Sequence, residues 1–154
     1  MTLHQLYQLL FNFKGRINRA KFWLGLLLYL LATAALSGST FSLFFLSQRW
    51  LVVPYLDILL AIVVVLMAWF WLLAVGTKRL HDRGKSGAWM LVFMVPAIAL
   101  MIASEVMDDQ GWIATGLSIA EYAFLVWALI ELGIVRGTAG PNQYGNDPLV
   151  APAG

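Results

Sequence analysis

The stretch TKRLHDRGKSGAW, residues 77–89, gathers four basic side chains, a histidine and an aspartate around Gly-Lys-Ser. Gly84, Lys85 and Ser86 match the end of the phosphate-binding loop G-x-x-x-x-G-K-S/T, in which backbone N–H groups and the lysine hold nucleotide phosphates. The first glycine of that loop would fall on Arg79, and a long apolar run stands where the loop needs a strand. A nucleotide-hydrolysing site is therefore not indicated.

The same cations could bind a smaller anion. Clustered basic side chains attract anionic lipid headgroups, and the free N–H groups at the start of the next helix would add to that attraction. The candidate headgroup-binding residues are Arg16, Arg19, Arg79, Arg83 and Lys85. The alternative is that these cations only fix the orientation of the chain in a membrane and touch lipid phosphates without selectivity.

Glu121 is the second residue that could carry chemistry. It lies nine residues past Trp112 in an apolar run, which at 1.5 Å per residue is about 13 Å into a membrane core about 30 Å thick. A carboxyl at that depth is costly and marks a functional hypothesis. Thr33 or Tyr29 in the first apolar run and Ser118 in the same run as Glu121 are candidate hydrogen-bond partners. Two interpretations stay open: a proton or cation relay, and a polar clamp between helices or protomers.

Metal and acid–base chemistry find little support. The chain has no cysteine, and its two histidines, His4 and His81, lie far apart without the spacing of zinc ligands. We therefore expect no metal and no cofactor. His81 and Asp82 are the only candidate acid–base pair for catalysis in the sequence. Because adjacent residues generally point apart on a helix, this pair gives weak support for an enzyme.

The elements that must position these residues are membrane-spanning helices. The 154 residues are 61% hydrophobic and 12% charged, with a mean hydropathy of +0.79, which indicates a bilayer protein. A helix needs about 20 apolar residues to cross, and the third of four runs is short and interrupted by Pro96. We predict an all-α polytopic membrane protein with a four-helix transmembrane bundle over residues 22–135. The predicted spans are residues 22–46, 53–76, 88–104 and 112–135.

Two further segments flank the bundle. In residues 1–21, Leu3, Tyr7 and Leu10 recur at helical spacing ahead of a basic cluster, which predicts a short amphipathic helix lying on the cytoplasmic leaflet. Residues 136–154 form a tail rich in glycine, proline and asparagine. We expect this tail to fold back near the 77–89 stretch, with Asp82 or Asp147 pairing an arginine.

The charge pattern predicts the orientation of the spans. Nine of the ten Lys and Arg residues fall before the first span, between the second and third, or after the fourth, and Arg49 alone falls on the other side. The connector at residues 104–111 carries three acids and no base. Because positively charged loops stay in the cytoplasm, both termini are expected there.

Three ordered motifs carry a family resemblance: FKGRINRAKFW (13–23), KRLHDRGKSGAW (78–89) and GTAGPNQYGNDP (137–148). They resemble the signatures of the YhaH-type family of bacterial inner-membrane proteins (domain-of-unknown-function family 805), over about Leu10 to Pro148. The resemblance implies a small polytopic inner-membrane protein with no established activity. The residues assigned to a structural cytoplasmic motif are His81, Asp82, Gly84, Gly140, Asn142, Tyr144, Gly145 and Asp147.

Three functional hypotheses follow, and the sequence favours the first. It is a non-enzymatic membrane module that binds anionic lipid or a partner protein through its basic cytoplasmic face, with a homo-oligomer left open and no nucleic-acid partner. The second is a small transporter or channel for protons or cations that uses Glu121, and the third is an interfacial lipid-modifying enzyme. A water-filled cavity reaching Glu121 would favour transport, and a dry bundle would favour the binding module.

Overall fold

The computed structural model describes residues 2–47, 53–107 and 111–150, and over these ranges the chain is helical without a β-strand. The helices are α1 (Leu3–Phe11), α2 (Arg19–Ser47), α3 (Val53–Asp82), α4 (Trp89–Val106) and α5 (Gly111–Leu129), and α5 continues into a π-helical segment (Ile130–Ile134). An isolated bridge joins Asn142 and Gly145. The predicted all-α class is confirmed.

Four of these helices are long and apolar enough to cross a membrane, which confirms the predicted polytopic fold. The candidate spans are Arg19–Ser39, Ile58–Asp82, Trp89–Val106 and Gly111–Ile134. Many of their large apolar side chains are exposed, as expected for helices whose solvent is lipid. Helix α4 runs through Pro96 without ending, because neighbouring groups in a membrane protein can satisfy the freed carbonyl.

The boundary of the second span differs from its prediction. Helix α3 runs on to Asp82, six residues past the predicted end at residue 76, so that the first half of the basic connector is helical. Gly84, with a φ of 71°, then reverses the chain. The N–H of Lys85 donates to the carbonyl of Leu80 (2.9 Å), which satisfies one of the free carbonyls at the helix end.

The described residues group into two compact units, of which the first comprises Met1–Phe13 and Trp23–Val75. Helix α1 begins with a capping box, in which Thr2 and Gln5 exchange side-chain and backbone hydrogen bonds. Phe11 at its end packs against Trp71 of α3, with ring centroids 5.7 Å apart. The predicted N-terminal helix is thus present, and its position on the leaflet stays a prediction.

The second unit comprises Lys14–Phe22 and Gly76–Gly154. Helices α4 and α5 pack together, with the rings of Phe93 and Trp127 edge to face at 5.0 Å. Gly76 admits the side chain of Met90, whose sulfur would lie 2.5 Å from a Cβ at that position. The basic residues before α2 and the tail both belong to this unit.

Some predictions fall on residues outside the described ranges. They include the orientation argument from Arg49, Asp108 and Asp109, and the last four residues of the predicted tail.

Candidate functional site

Three segments far apart in the sequence meet in the second unit: the residues before α2, the end of α3 with its turn, and the residues after the π-helical segment. The N–H of Ile17 donates to the carbonyl of Lys78 (3.4 Å), and the N–H of Thr138 donates to the carbonyl of Asp82 (2.7 Å). The first segment precedes a candidate span and the other two follow one. Their contacts therefore bring three span ends to one level.

Asp82 lies at the centre of this contact region and is only 3% exposed. The Nε of Arg16 lies 3.1 Å from its Oδ1, and the Nη1 of Arg79 donates to its Oδ2. Taking these charges out of water costs several kcal/mol per ion, which close pairing and further hydrogen bonds must offset. The sequence predicted that Asp82 or Asp147 pairs with an arginine. In the structure Asp82 pairs with two arginines, Arg16 and Arg79.

Arg79 has no exposed surface and caps the end of the fourth span. Its Nε donates to the carbonyl of Leu132 (2.7 Å) and its Nη2 to the carbonyl of Val135 (2.5 Å), in and directly after the π-helical segment. The last carbonyls of a helix lack intrahelical partners and carry the negative end of its dipole. The buried guanidinium supplies donors to these carbonyls and a positive charge to the negative end of the dipole. Arg79 thus joins the end of α3 to the end of the fourth candidate span.

Arg16 holds the tail against the same centre. Its terminal nitrogens donate to the carbonyls of Thr138 (2.6 Å), Gly140 (2.6 Å) and Gly145 (3.2 Å). The two glycines have φ angles of 73° and 132°, which residues with a Cβ rarely adopt. Glycine at these motif positions therefore allows the backbone turns that present the carbonyls to Arg16.

His81 and Asp82 are not paired, and His81 instead contacts the tail. Its ring stacks on Tyr144 with centroids 3.9 Å apart, and its Nδ1 lies 3.2 Å from the carbonyl oxygen of Gly15. Asn142 donates from Nδ2 to the carbonyl of His81 (2.9 Å). Within the described part of the chain, no group of three His, Asp or Glu side chains could hold a metal ion.

Asp147 orders the last turn of the tail. Its carboxylate accepts the N–H of Leu149 (2.9 Å) and the N–H of Gly140 (3.0 Å). These two hydrogen bonds to the charged form hold the pKa of Asp147 below its usual value. Asp147 thus takes backbone partners, whereas Asp82 takes the arginine partners.

Glu131 fixes the turn between α3 and α4. Its Oε1 lies 3.0 Å from Nη2 of Arg83 and 2.5 Å from Nζ of Lys85. The Lys85 ammonium also lies 4.4 Å from the ring centre of Trp89. Both partners of Glu131 are therefore cations of the turn that follows α3.

Four of the five candidate headgroup-binding cations are therefore engaged inside the protein. Arg16 and Arg79 occupy buried sites with internal acceptors, so binding a headgroup there would break the centre of the contact region. Arg19 differs, because it is exposed and makes one hydrogen bond, from Nη1 to the carbonyl of Ile134 (3.2 Å). Nη1 of Arg83 also lacks a hydrogen-bond partner among the described residues, but that nitrogen is buried. Arg19 is therefore the member of the set whose side chain is exposed and has unused donors.

Arg19 lines a cavity of about 650 Å³ in the second unit, together with Asn18, Arg136 and Leu149. Two residues of the ion-paired group Arg16, Arg79 and Asp82, called the Asp82 centre below, also line it: Arg79 and Asp82. Arg136 is exposed, and no described residue accepts a hydrogen bond from its guanidinium. Sequence reasoning used Arg136 only as an orientation signal. Its position just past the fourth candidate span was the clue that could have placed it beside the start of the first.

The proposed intramembrane site is not assembled within either unit. Glu121 is partly exposed on α5, and no described residue forms a hydrogen bond or ion pair with its carboxyl. The hydroxyl of Thr33 donates to the carbonyl of Tyr29 (2.9 Å), and that of Ser118 to the carbonyl of Ala114 (3.0 Å), each within its own helix. A role for Glu121 as relay or clamp stays a prediction.

The fold and this contact region define the class of the protein: an all-helical, multi-pass membrane protein whose basic segments are gathered into one folded region. Within that class the chain belongs to the family described as protein of unknown function (DUF805), whose model matches residues 10–146. The match includes the first two motifs and most of the third, in agreement with the resemblance seen in the sequence.

Relatives in Escherichia coli strain K12 span nearly the same length. Uncharacterized protein YiiR is 35% identical over 143 residues, 91% of this chain and 88% of that protein. Inner membrane protein YhaI is 30% identical over 137 residues, 89% and 86% of the two chains. Inner membrane protein YhaH is 28% identical over 141 residues, 92% and 90%. No solved structure matches the chain.

Proposed function

We propose that this chain is a multi-pass protein of a bacterial inner membrane with both termini in the cytoplasm. The relatives YhaI and YhaH are named inner membrane proteins. The three contacting motif segments belong on one side of the membrane, and nine of the ten Lys and Arg residues fall on that side. Since positively charged loops are retained in the cytoplasm, this side is the cytoplasmic face.

The protein acts at this face as a non-enzymatic module that binds anionic lipid. One observation carries the proposal: Lys14, Arg19, Lys21 and Arg136 all keep exposed side chains next to span ends. An anionic surface attracts each such residue by about 1 kcal/mol. Four of them together favour anionic over zwitterionic headgroups.

The internal contacts support a binding module over the alternatives. Asp82 and His81, the residues an enzyme would need, hold the tail and the span ends together. The cavity lies at Arg19 and Arg136, and Glu121 is not among its lining residues. This arrangement favours lipid binding at the face over a path through the spans.

Native mass spectrometry tests the proposal on the full chain, delipidated and then exposed to equal amounts of phosphatidylglycerol and phosphatidylcholine. The wild type should retain phosphatidylglycerol preferentially. A variant with Lys14, Arg19, Lys21 and Arg136 changed to Gln should lose the preference, while Glu121→Gln should keep it. Equal retention of the two lipids by the wild type would overturn the proposal.

A further inference from the structure

We propose that the cavity lined by Arg19 and Arg136 is a phosphate-binding site, and that the phosphate belongs to a phospholipid headgroup. This inference rests on the proposed function and deepens it. The proposed function needs only an exposed basic face, whereas the inference assigns the binding to two arginines and one cavity of about 650 Å³. Small-molecule sites commonly enclose about 300–1,000 Å³.

The charges that line the cavity are not equivalent. Arg79 and Asp82 pair with each other, and Asp82 pairs with Arg16 as well. The carboxylate of Asp82 is therefore already engaged and does not pair with the other cations of the cavity. Asp147 also lines the cavity, but its carboxylate accepts two backbone N–H groups. The guanidiniums of Arg19 and Arg136 remain, and neither forms an ion pair with a described residue.

The two guanidiniums have the donors that a phosphate requires. Arg19 uses one of its five N–H groups on the carbonyl of Ile134, and Arg136 uses none on any described residue. An arginine presents its donors as a planar fork that pairs with two phosphate oxygens at once. The positive end of the α2 dipole, which begins at Arg19, adds potential of the same sign.

The position of the cavity favours a lipid over a soluble phosphate. Arg19 is the first residue of one candidate span, and Arg136 lies two residues beyond the end of another, Gly111–Ile134. Lipid headgroups lie at this level of a membrane. Leu149, another lining residue, is 76% exposed and gives the cavity an apolar edge next to its cations. A phospholipid, with its phosphate joined to an apolar body, matches both features.

The test compares single variants of the full-length protein that remove the same charge. Arg136→Gln changes a side chain that has no hydrogen-bond or ion-pair partner among the described residues, so it should leave the fold intact. Lys21→Gln is the matched control on an exposed lysine outside the cavity. Native mass spectrometry with phosphatidylglycerol measures occupancy by the first bound lipid. We expect Arg136→Gln to weaken it about tenfold, as for a lost charge-assisted hydrogen bond of about 1.5 kcal/mol. Lys21→Gln should weaken it by no more than about fivefold, which corresponds to the attraction of about 1 kcal/mol that one exposed cation of the face contributes. Arg136→Lys should fall between Arg136→Gln and the wild type.

The outcomes separate the cavity from the general face. If Arg136→Gln and Lys21→Gln weaken the binding of phosphatidylglycerol equally, the cavity proposal is overturned while the proposed function stands. If the wild type shows no preference for phosphatidylglycerol, both are overturned. A competition with glycerol phosphate separates the sources of phosphate. Displacement of the lipid by an equal concentration of glycerol phosphate would overturn the lipid assignment, and retention of the lipid would support it.

Discussion

Asp82 and Glu121 are both carboxyls on helices long enough to cross a membrane, and their surroundings differ completely. Asp82 is buried, and each of its oxygens is paired with a guanidinium. Glu121 is partly exposed and has no partner among the described residues. The cost of an acid in lipid draws attention to Glu121, whereas the structure is organised around the acid at a span end. An acid becomes a structural centre where partners from distant segments can reach it.

Replacement of Asp82 should therefore have the largest effect on stability. Asp82→Asn keeps the shape of the side chain and leaves the guanidiniums of Arg16 and Arg79 buried without their carboxylate. Removal of one partner of a buried ion pair costs about 3–5 kcal/mol. We expect the thermal unfolding midpoint of the variant in detergent to be much lower than that of the wild type. Circular dichroism at increasing temperature measures both midpoints.

Glu121→Gln sharpens the comparison under the same conditions. Because no described residue pairs with Glu121, the substitution should change stability by less than about 0.5 kcal/mol. Equal unfolding midpoints for the two variants would show that the Asp82 centre does not hold the fold. A large loss for Glu121→Gln would instead reveal a partner for that carboxyl, such as a second copy of the chain.

The contrast between the two acids also shows what could be predicted from the sequence. The spans were predictable because hydropathy sums many local contributions over about 20 residues. The partners of the basic residues were not, because they depend on contacts across the chain. Arg79 donates to a carbonyl 53 residues away, and Arg16 to one 124 residues away. Charge density identified the right segments and could not rank the arginines within them.

Glycine substitutions extend the comparison at a smaller expected effect. A Cβ at Gly137 would overlap the carboxyl group of Asp82, whereas a Cβ at Gly116 on α5 would meet nothing within 4 Å. We expect Gly137→Ala to destabilise the protein by about 1–3 kcal/mol, the range for overpacking. Gly116→Ala should be neutral or stabilise α5 by up to about 1 kcal/mol.

Thermal unfolding midpoints of the two alanine variants, measured side by side, decide this prediction. A Gly137→Ala midpoint that matches the wild type would mean that the tail can move away from Asp82 at no cost. The sequence offered no sign of this requirement, since Gly137 has no positive φ and its need for glycine arises only from the carboxyl packed against it.

The smallest effect concerns Asp147, the acid in the tail that has backbone partners only. The N–H groups of Leu149 and Gly140 lower its pKa in the folded protein. A lowered pKa means that the stabilisation is complete above the ordinary aspartate pKa and is lost as the pH falls through the folded pKa. The last turn of the tail should therefore loosen only in acid, below the pH at which an unperturbed aspartate takes up its proton.

NMR spectra of protein labelled with nitrogen-15 glycine in detergent micelles measure this transition. The Gly140 amide signal should move with a midpoint below the ordinary aspartate pKa, while the signal of Gly116, within α5, stays in place. Asp147→Asn should abolish the movement. A Gly140 midpoint at or above the ordinary value would contradict the two hydrogen bonds. The tail would then be held by its contacts with Arg16, His81 and Asp82, without a contribution from the Asp147 carboxylate.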